Sequence, residues 1–295
     1  MRVVTHNAKF HSDDVFGVAA LLMLYPDAEV IRTRDEEVIK SADIVLDVGG
    51  ISDPDTDRFD HHQPGGAGAR ENGIQYASFG LIWNKFGDKI CGSKEIAEKL
   101  DSMIVQVMDA ADNGQDIMKP LIPNVLPFTI NGVIDFYRIT WKEEENWDRK
   151  FMEAVEWAKG LIQRAIKIIN DTLEGVAIVK SEYEKSKDKR IVFIDEHYDL
   201  GREVVMNELV KYPEPIYAIL YRGDTKSWQV LAIRKDLNSF ESRKALPGSW
   251  RAKKEKDFES ESGVTGVLFC HKSGFMCLAA TKEAAVKLAK IALNS

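Results

Sequence analysis

A short apolar segment that ends in an acid constrains the fold of this 295-residue chain more than any other feature. The segment is Ile44-Val45-Leu46, and Asp47-Val48-Gly49-Gly50 follows it directly. A strand of this composition is typical of a sheet that is covered on both faces. A carboxylate at the end of such a strand is costly to bury without a partner, and a metal ion would supply one. An ordinary turn acid is the alternative interpretation of Asp47 taken by itself.

The residues before this strand predict a strand, a polar loop, a buried helix and a second strand. Residues 2–5 form the first strand, and the loop begins at His6. The helix is expected to start near Ser12 or Asp13, either of which can serve as its N-cap. It is apolar nearly all round up to residue 24, and residues 29–33 form the second strand.

The run Arg58-Phe59-Asp60-His61-His62-Gln63 places an acid directly before two histidines. Neighbouring side chains of an extended segment point to opposite faces, so all three cannot serve one metal from a regular strand. They suit a loop at a strand end that faces two cations, or one cation and a substrate. A polar turn with incidental histidines is the alternative. The glycine-rich stretch 64–70 that follows is a lid, a phosphate cradle or a solvated connector.

Helical periodicity is expected over residues 74–86 and 93–109. Asp109 and Asp112 are three residues apart and therefore share one helix face. Asn113-Gly114 then ends the helix. One of the two acids is expected to point at the site, and the other to be a capping or surface acid.

The second half of the chain has a different character. Residues 142–172 predict a linking helical segment, and residues 199–209 and 281–293 predict two further helices. Five short strands are expected over residues 176–179, 190–194, 216–221, 228–233 and 266–270. The fold class is therefore α/β, with a mostly parallel N-terminal sheet flanked by helices (residues 1–141), the linking helices, and a smaller mixed α/β domain (residues 173–295).

Composition excludes several classes of protein. No apolar run approaches the roughly 18 residues of a spanning helix, and no targeting segment precedes the first strand, so a cytoplasmic protein is expected. Three cysteines without a CxxC pair support neither a disulfide framework nor a zinc ribbon. The net charge of −7 argues against a general affinity for nucleic acid but leaves room for a local basic groove. Oligomeric state is not encoded in this chemistry, and a homodimer remains open.

The candidate ligands all lie in the first domain, where several of them follow predicted strands. Carboxylates mixed with imidazoles, without thiolates, favour Mn²⁺ or a similar ion such as Mg²⁺ or Co²⁺ over structural zinc. Six or more such groups exceed the needs of one ion, whereas two ions about 4 Å apart would use them and suit in-line displacement at phosphorus by an activated water. Asp47 is the natural bridge between the two ions. The candidates are His6, His11, Asp13, Asp14, Asp47, Asp60, His61, His62 and Asp109 or Asp112.

These motifs, in this order, resemble the DHH phosphoesterase superfamily. The closer match is its Myg (melanocyte proliferating gene) branch, and it covers nearly the whole chain. The residues that carry it are His6-Asn7-x-x-Phe10-His11-x-Asp13-Asp14, Asp47-Val48-Gly49-Gly50, the run 58–63, Phe79-Gly80-Leu81-Ile82-Trp83, Asp109-Ala110-Ala111-Asp112-Asn113-Gly114, and a C-terminal set from Arg243 to Phe275.

The resemblance implies a metal-dependent phosphodiesterase, in this branch a 3′-to-5′ exonuclease on single-stranded RNA. It makes His6, His11, Asp13, Asp47, Asp60 and an acid near Asp112 the metal ligands, with Asp112 preferred over Asp109. His61 would complete the shell of the second metal or, with His62, orient the phosphate and protonate the leaving oxygen.

Substrate contacts are expected from Arg58 in the first domain and, in the second, from the basic and aromatic residues Arg243, Trp250, Arg251, His271 and Lys272. A core aromatic and a solvated basic face are the alternatives. The chain departs from the branch at Phe275-Met276-Cys277-Leu278, where paired glycines are usual, so its grip on substrate is expected to differ. A phosphohydrolase of pyrophosphate or a cyclic dinucleotide, and a non-catalytic RNA-binding protein with a metal, are the other functions to be weighed.

Overall fold

The computed structural model describes all 295 residues and shows an α/β protein made of two compact units, Met1–Asn170 and Asp171–Ser295. Each unit contains one five-stranded sheet. The α/β fold class predicted from the sequence is therefore confirmed. None of the helices combines the length and the apolar character that crossing a bilayer requires.

The sheet of the first unit is mostly parallel, as expected. Its strands are β1 (Arg2–Thr5), β2 (Glu29–Arg32), β3 (Ile44–Leu46), β4 (Ser52–Asp53) and β5 (Arg58–Phe59). They lie in the order β2-β1-β3-β5-β4, and only the β4–β5 pair is antiparallel. The carboxyl ends of β1, β3 and β5 consequently meet at one edge of the sheet.

Helices cover both faces of this sheet. Six helices lie wholly within this unit: α1 (Ser12–Leu24), α2 (Glu36–Lys40), α3 (Ser78–Cys91), α4 (Lys94–Leu100), α5 (Gln106–Asp112) and α6 (Ile130–Asp135). A π-helical turn (Asp101–Val105) joins α4 to α5. Val45 packs with Val38 and Ile39 of α2 on one face. On the other face α1 approaches so closely that a Cβ on Gly17 would lie 2.6 Å from Leu46 Cδ1. This double cover explains the uninterrupted apolar character of β3.

Two local expectations in this unit were wrong. Neither Ser12 nor Asp13 caps α1; His11 is the N-cap, and its backbone amide donates to Asp14 Oδ1 at 2.8 Å. Helix α3 begins at Ser78 rather than at Ile74, because the chain from Ala69 to Gln75 pairs with itself in a turn. The predicted stop of α5 at Asn113-Gly114 is confirmed.

The second unit has a mixed sheet. Its strands are β6 (Ile191–Phe193), β7 (Tyr217–Arg222), β8 (Ser227–Ala232), β9 (Val267–Cys270) and β10 (Met276–Ala279), in the order β6-β7-β8-β10-β9 with only β6–β7 parallel. Its helices are the end of α7 (Trp147–Lys185), then α8 (Arg202–Leu209), α9 (Glu255–Ser262) and α10 (Lys282–Asn294). Helices α9 and α10 pack on one face, and α8 with the end of α7 packs on the other.

The strand expected at residues 176–179 is wrong, because these residues lie inside α7. Gly175 and Val179 are buried four residues apart, and Tyr183 continues the stripe. That spacing belongs to a helix face, and in a short β-branched run it is indistinguishable from a strand. Helix α7 therefore extends well beyond the predicted linking segment of residues 142–172, and the two units divide within it. The sequence also missed α9 and β10.

Candidate metal centre

Three strand ends and two helix ends bring a cluster of acids and histidines together in the first unit. His6 follows β1, Asp47 follows β3, and Asp60-His61-His62 follows β5. Asp13 and Asp14 lie in the first turn of α1, and Asp112 is the last residue of α5. The chemistry is thus concentrated at the carboxyl edge of a parallel sheet, where such sheets bind ligands.

Asp47 lies at the centre of the cluster. Its Oδ2 is 3.1 Å from His6 Nε2, and its Oδ1 is 3.4 Å from both His61 Nε2 and His62 Nδ1. The residue has a φ of 54°, a left-handed conformation that is uncommon outside glycine. Such strain persists where surrounding contacts hold the backbone, and it is concentrated at functional sites.

Four overlapping sets of side chains could hold a cation, and the potential ligand atoms within each set lie within 4.8 Å of one another. Asp47 belongs to three of the sets, which makes it the residue best placed for sharing. The sets are His6, His11 and Asp47; Asp47, His61 and His62; His11, Asp13 and Asp112; and Asp13, Asp14 and Asp47.

The donor atoms of this cluster fit divalent cations. Both carboxylate oxygens of Asp13, Oδ2 of Asp14 and Nε2 of His61 are buried without a hydrogen-bond partner. His61 Nε2 lies 3.1 Å from Asp112 Oδ2, an ion-pair distance without the geometry of a hydrogen bond. Buried polar groups without partners are costly, so their concentration at one point indicates a cationic ligand. Oxygen and imidazole donors without sulfur suit Mn²⁺ or Mg²⁺.

Asp60 is placed differently from the other predicted ligands. Its Oδ2 accepts the Gly50 amide at 2.6 Å, and its Oδ1 accepts the amides of His61 at 2.8 Å and His62 at 3.2 Å. Oδ1 also lies 2.8 Å from His62 Nδ1. Asp60 belongs to none of the four sets. In this structure its carboxylate shapes the loop that presents the two histidines.

Asp109 and Asp112 face different surroundings. Asp109 is fully buried, where Arg70 Nη1 donates to its Oδ2 at 2.7 Å and the Gly80 amide donates to its Oδ1 at 3.0 Å. Asp112 faces His61 and shares a candidate set with His11 and Asp13. The geometry therefore brings Asp112 to the cluster and holds Asp109 in an internal ion pair.

Burial and mutual charge shift the protonation of the cluster. Burial raises the pKa of Asp13 well above its ordinary value, with a further rise from Asp47, and it raises the pKa of Asp14 to about 7. Burial opposes the other two shifts: His6 and His61 hold the pKa of Asp47 below its usual range, and Asp112 and Asp47 raise the pKa of His61 to about 10. Without a cation, the cluster shares protons between its acids and histidines, so cation binding must release protons.

The structure gives three of the six predicted substrate residues other contacts. Arg58 donates to the backbone carbonyls of Ala42, Asp43, Thr56 and Asp57. Arg243 donates to those of Pro215 and Val210. Trp250 is 2% exposed and packs against Phe258, so it is a core aromatic and not a stacking surface.

The other three predicted contacts reach the surface of the second unit. Arg251 is exposed, although its Nε donates to Leu246 O at 3.1 Å. Lys272 is exposed. His271 is half-buried and lines a cavity.

Sequence reasoning did not find Ser78 or Arg70. Ser78 Oγ donates to Asp47 Oδ1 at 3.3 Å from the first turn of α3. Arg70 is the last residue of the glycine-rich stretch. Nothing in the sequence indicated that it forms an ion pair with Asp109, 39 residues away. No specific role was predicted for Asp14 from the sequence. The structure shows its Oδ1 accepting the His11 amide and its Oδ2 3.2 Å from His6 Nε2.

Comparison with known proteins identifies the family to which this chain belongs. Residues 2–293 match the model of the MYG1 exonuclease family, described as an uncharacterised protein family, UPF0160. Human MYG1 exonuclease is 28% identical over 99% of this chain and 85% of its own length, and the MYG1 protein C27H6.8 of Caenorhabditis elegans is 28% identical over 98% and 94%. The solved structure of a pGpG-specific phosphodiesterase, PggH from Vibrio cholerae, matches with a TM-score of 0.33 and 12% identity, over 99% of this chain and 98% of that one. The match along nearly the whole length confirms the resemblance seen in the motifs: the chain belongs to the MYG1 exonuclease family, and it is an enzyme of the hydrolase class.

Proposed function

We propose that this protein is a Mn²⁺-dependent phosphodiesterase that removes nucleotides from the 3′ end of single-stranded RNA or short oligonucleotides. The observation that carries the proposal is the set of buried carboxylate and imidazole atoms around Asp47 that have no hydrogen-bond partner. Two cations would use these donors, whereas one would leave several unpaired. The family name of the relatives supports the nuclease class, and the RNA preference and polarity come from the resemblance in the motifs.

The protein's own groups divide the work. His6, His11, Asp13, Asp14, Asp47, His61 and Asp112 would hold two divalent cations, which supply an activated water and neutralise the phosphoryl oxygens. Asp60 Oδ1 binds His62 Nδ1, which leaves Nε2 as the nitrogen that donates a proton to the leaving oxygen. His62 is suited to this task because its side chain is 63% exposed, whereas that of His61 is buried.

A cavity of about 380 Å³ in the second unit suits a nucleotide. The Arg234 guanidinium lies 4.8 Å from the centre of the exposed Phe240 ring, and the Arg202 guanidinium lies 5.8 Å from the Phe275 ring. The His271 ring lies 4.6 Å from that of Phe275. Aromatic faces beside cations bind bases and phosphates without strong sequence preference. We assign this cavity to the substrate chain.

The direct test is digestion of RNA and DNA oligonucleotides of the same sequence, labelled at either end and resolved by length. With Mn²⁺, 5′-labelled RNA should shorten one nucleotide at a time, and 3′-labelled RNA should release labelled mononucleotide at once. A chelator should abolish both. Turnover of pyrophosphate alone would replace this function with that of a small-substrate phosphohydrolase, and tight Mn²⁺ binding without any hydrolysis would make the chain a binding protein.

Stabilisation by Mn²⁺ should increase with pH. The pKa of Asp14 is raised from 3.8 to about 7 and the pKa of His61 from 6.5 to about 10. At any pH between its two pKa values, each group is more protonated in the cation-free folded state than in the unfolded chain. The stability of this folded state therefore falls as pH rises through this range. Because Mn²⁺ binds the deprotonated ligands, the rise in melting temperature at fixed Mn²⁺ should be larger at about pH 8.5 than at about pH 6. Differential scanning fluorimetry measures both; an increment that does not change with pH would show that Mn²⁺ binds elsewhere.

A further inference from the structure

The ion pairs of Arg70 join two segments that each lead to the metal centre. Arg70 Nη1 donates to Asp109 Oδ2 at 2.7 Å, and Nη2 donates to Asp101 Oδ1 at 2.8 Å. The Arg70 side chain is 9% exposed, that of Asp109 is fully buried, and that of Asp101 is 23% exposed. Arg70 follows the His61-His62 loop in the chain, whereas Asp109 lies one helical turn before Asp112.

Asp109 has no room to move. The Gly80 amide binds its Oδ1, and a Cβ on Gly80 would lie 1.8 Å from its Oδ2. Helix α3 thus closes one side of the carboxylate, and Arg70 closes the other. Because residues three apart lie on neighbouring positions of one helix face, fixing Asp109 also fixes the direction of Asp112.

Further polar contacts hold the turn of residues 70–76 against the first residue of α5 and against Gln115, which follows the helix. Gln115 Nε2 donates to Gly73 O at 3.0 Å, and Gln115 Oε1 accepts the Gln75 amide at 2.8 Å. Asn72 Nδ2 donates to Gln106 Oε1 at 2.8 Å. The π-helical turn brings Asp101 to Arg70, and Gln106 Nε2 donates to Asp101 Oδ2 at 2.6 Å. A π turn interrupts a helix at some cost and is frequent at functional sites.

We propose that Arg70 is a positioning residue of the metal centre. It joins the loop that carries His61 to the helix that carries Asp112, and so sets the 3.1 Å approach of His61 Nε2 to Asp112 Oδ2. It binds neither cation nor substrate. The inference rests on the proposed metal centre and adds to it the residue that positions two groups of ligands, those that follow β5 and the one that ends α5.

The test compares Mn²⁺ binding by the whole protein and by its variants. The electron paramagnetic resonance signal of free Mn²⁺ measures the binding. Arg70→Gln should lower the affinity for the more weakly bound of two Mn²⁺ ions by about tenfold or more. This is the usual effect of losing a residue that orients a metal ligand. Asp101→Asn, which leaves the Asp109 pair intact, should have a smaller effect in the same direction. Arg2→Gln is the control and should leave both Mn²⁺ affinities unchanged, because Arg2 begins β1 at the amino end of the sheet, where its guanidinium donates to Ser41 O.

The outcomes separate this inference from the proposed function. Wild-type protein that binds no Mn²⁺ would remove the proposed function itself. If wild type binds two ions and a folded Arg70→Gln variant binds both with unchanged affinity, only the positioning role is overturned. Should Arg70→Gln not fold, the double variant Arg70→Gln/Asp109→Asn removes both charges together. It should fold and still bind the second ion weakly, and normal binding by it or by Asp101→Asn would contradict the inference.

Discussion

Asp47→Asn should lower Mn²⁺-dependent hydrolysis of an oligoribonucleotide by at least about a thousandfold, because the electrostatic role of a shared cation ligand amounts to several kcal/mol of the barrier. The predicted loss is large because Asp47 belongs to three of the four candidate ligand sets. The change keeps the shape of the side chain and removes the charge that His6 and His61 face. Single-turnover rates at saturating Mn²⁺ measure the effect.

Asp43→Asn is the control for this variant. Asp43 lies just before the same strand, at its amino end, and its exposed carboxylate accepts the Arg2 amide at 2.6 Å. This variant should keep wild-type turnover. Circular dichroism should show both variants folded. If the Asp47→Asn protein retained turnover within tenfold of wild type, the cluster around Asp47 would not be the catalytic centre.

Gly80→Ala should cost about 3 kcal/mol or more of unfolding free energy, the sum expected from overpacking and from disturbing a buried ion pair. The added methyl would lie 1.8 Å from Asp109 Oδ2 and 2.6 Å from its Cγ. Asp109 cannot yield without breaking its contacts with Arg70 or with the Gly80 amide. Urea unfolding of the cation-free protein measures the change.

Gly160→Ala provides the opposite control. Gly160 lies inside α7, and a Cβ there would meet nothing within 4 Å. Replacing a helical glycine by alanine at an open position should add up to about 1 kcal/mol of stability. Equal urea midpoints for Gly80→Ala and wild type would show that the contact of α3 with Asp109 is looser than the structure has it.

The ends of the predicted strands indicated which acids and histidines the fold brings together, whereas their roles as metal ligands stay predictions. An apolar β3 followed by Asp47, and a polar run after β5, already placed these groups at one edge of a parallel sheet. The same reasoning could not separate Asp109 from Asp112, since both lie on one helix face. The choice depends on Arg70 and on the absence of a side chain at Gly80, contacts that cross 39 and 29 residues.

Other expectations failed where local pattern and tertiary context disagree. The β-branched residues at 176–179 have a strand composition, but their burial follows the helical stripe of Gly175, Val179 and Tyr183. Trp250 has the composition of a base-stacking residue, yet it fills the core of the second unit beside Phe258. Composition does not distinguish a buried aromatic from an exposed one; only the packing of α9 and the strands does.

Anomalous X-ray diffraction from crystals grown with Mn²⁺ tests the central claim most directly. Two peaks about 4 Å apart should lie against Asp47, with His6, His11 and Asp13 on one side and His61 and Asp112 on the other. Their occupancy should fall in Asp47→Asn crystals grown in the same way. A saturating Mn²⁺ concentration that leaves no peak within reach of Asp47 would contradict the account.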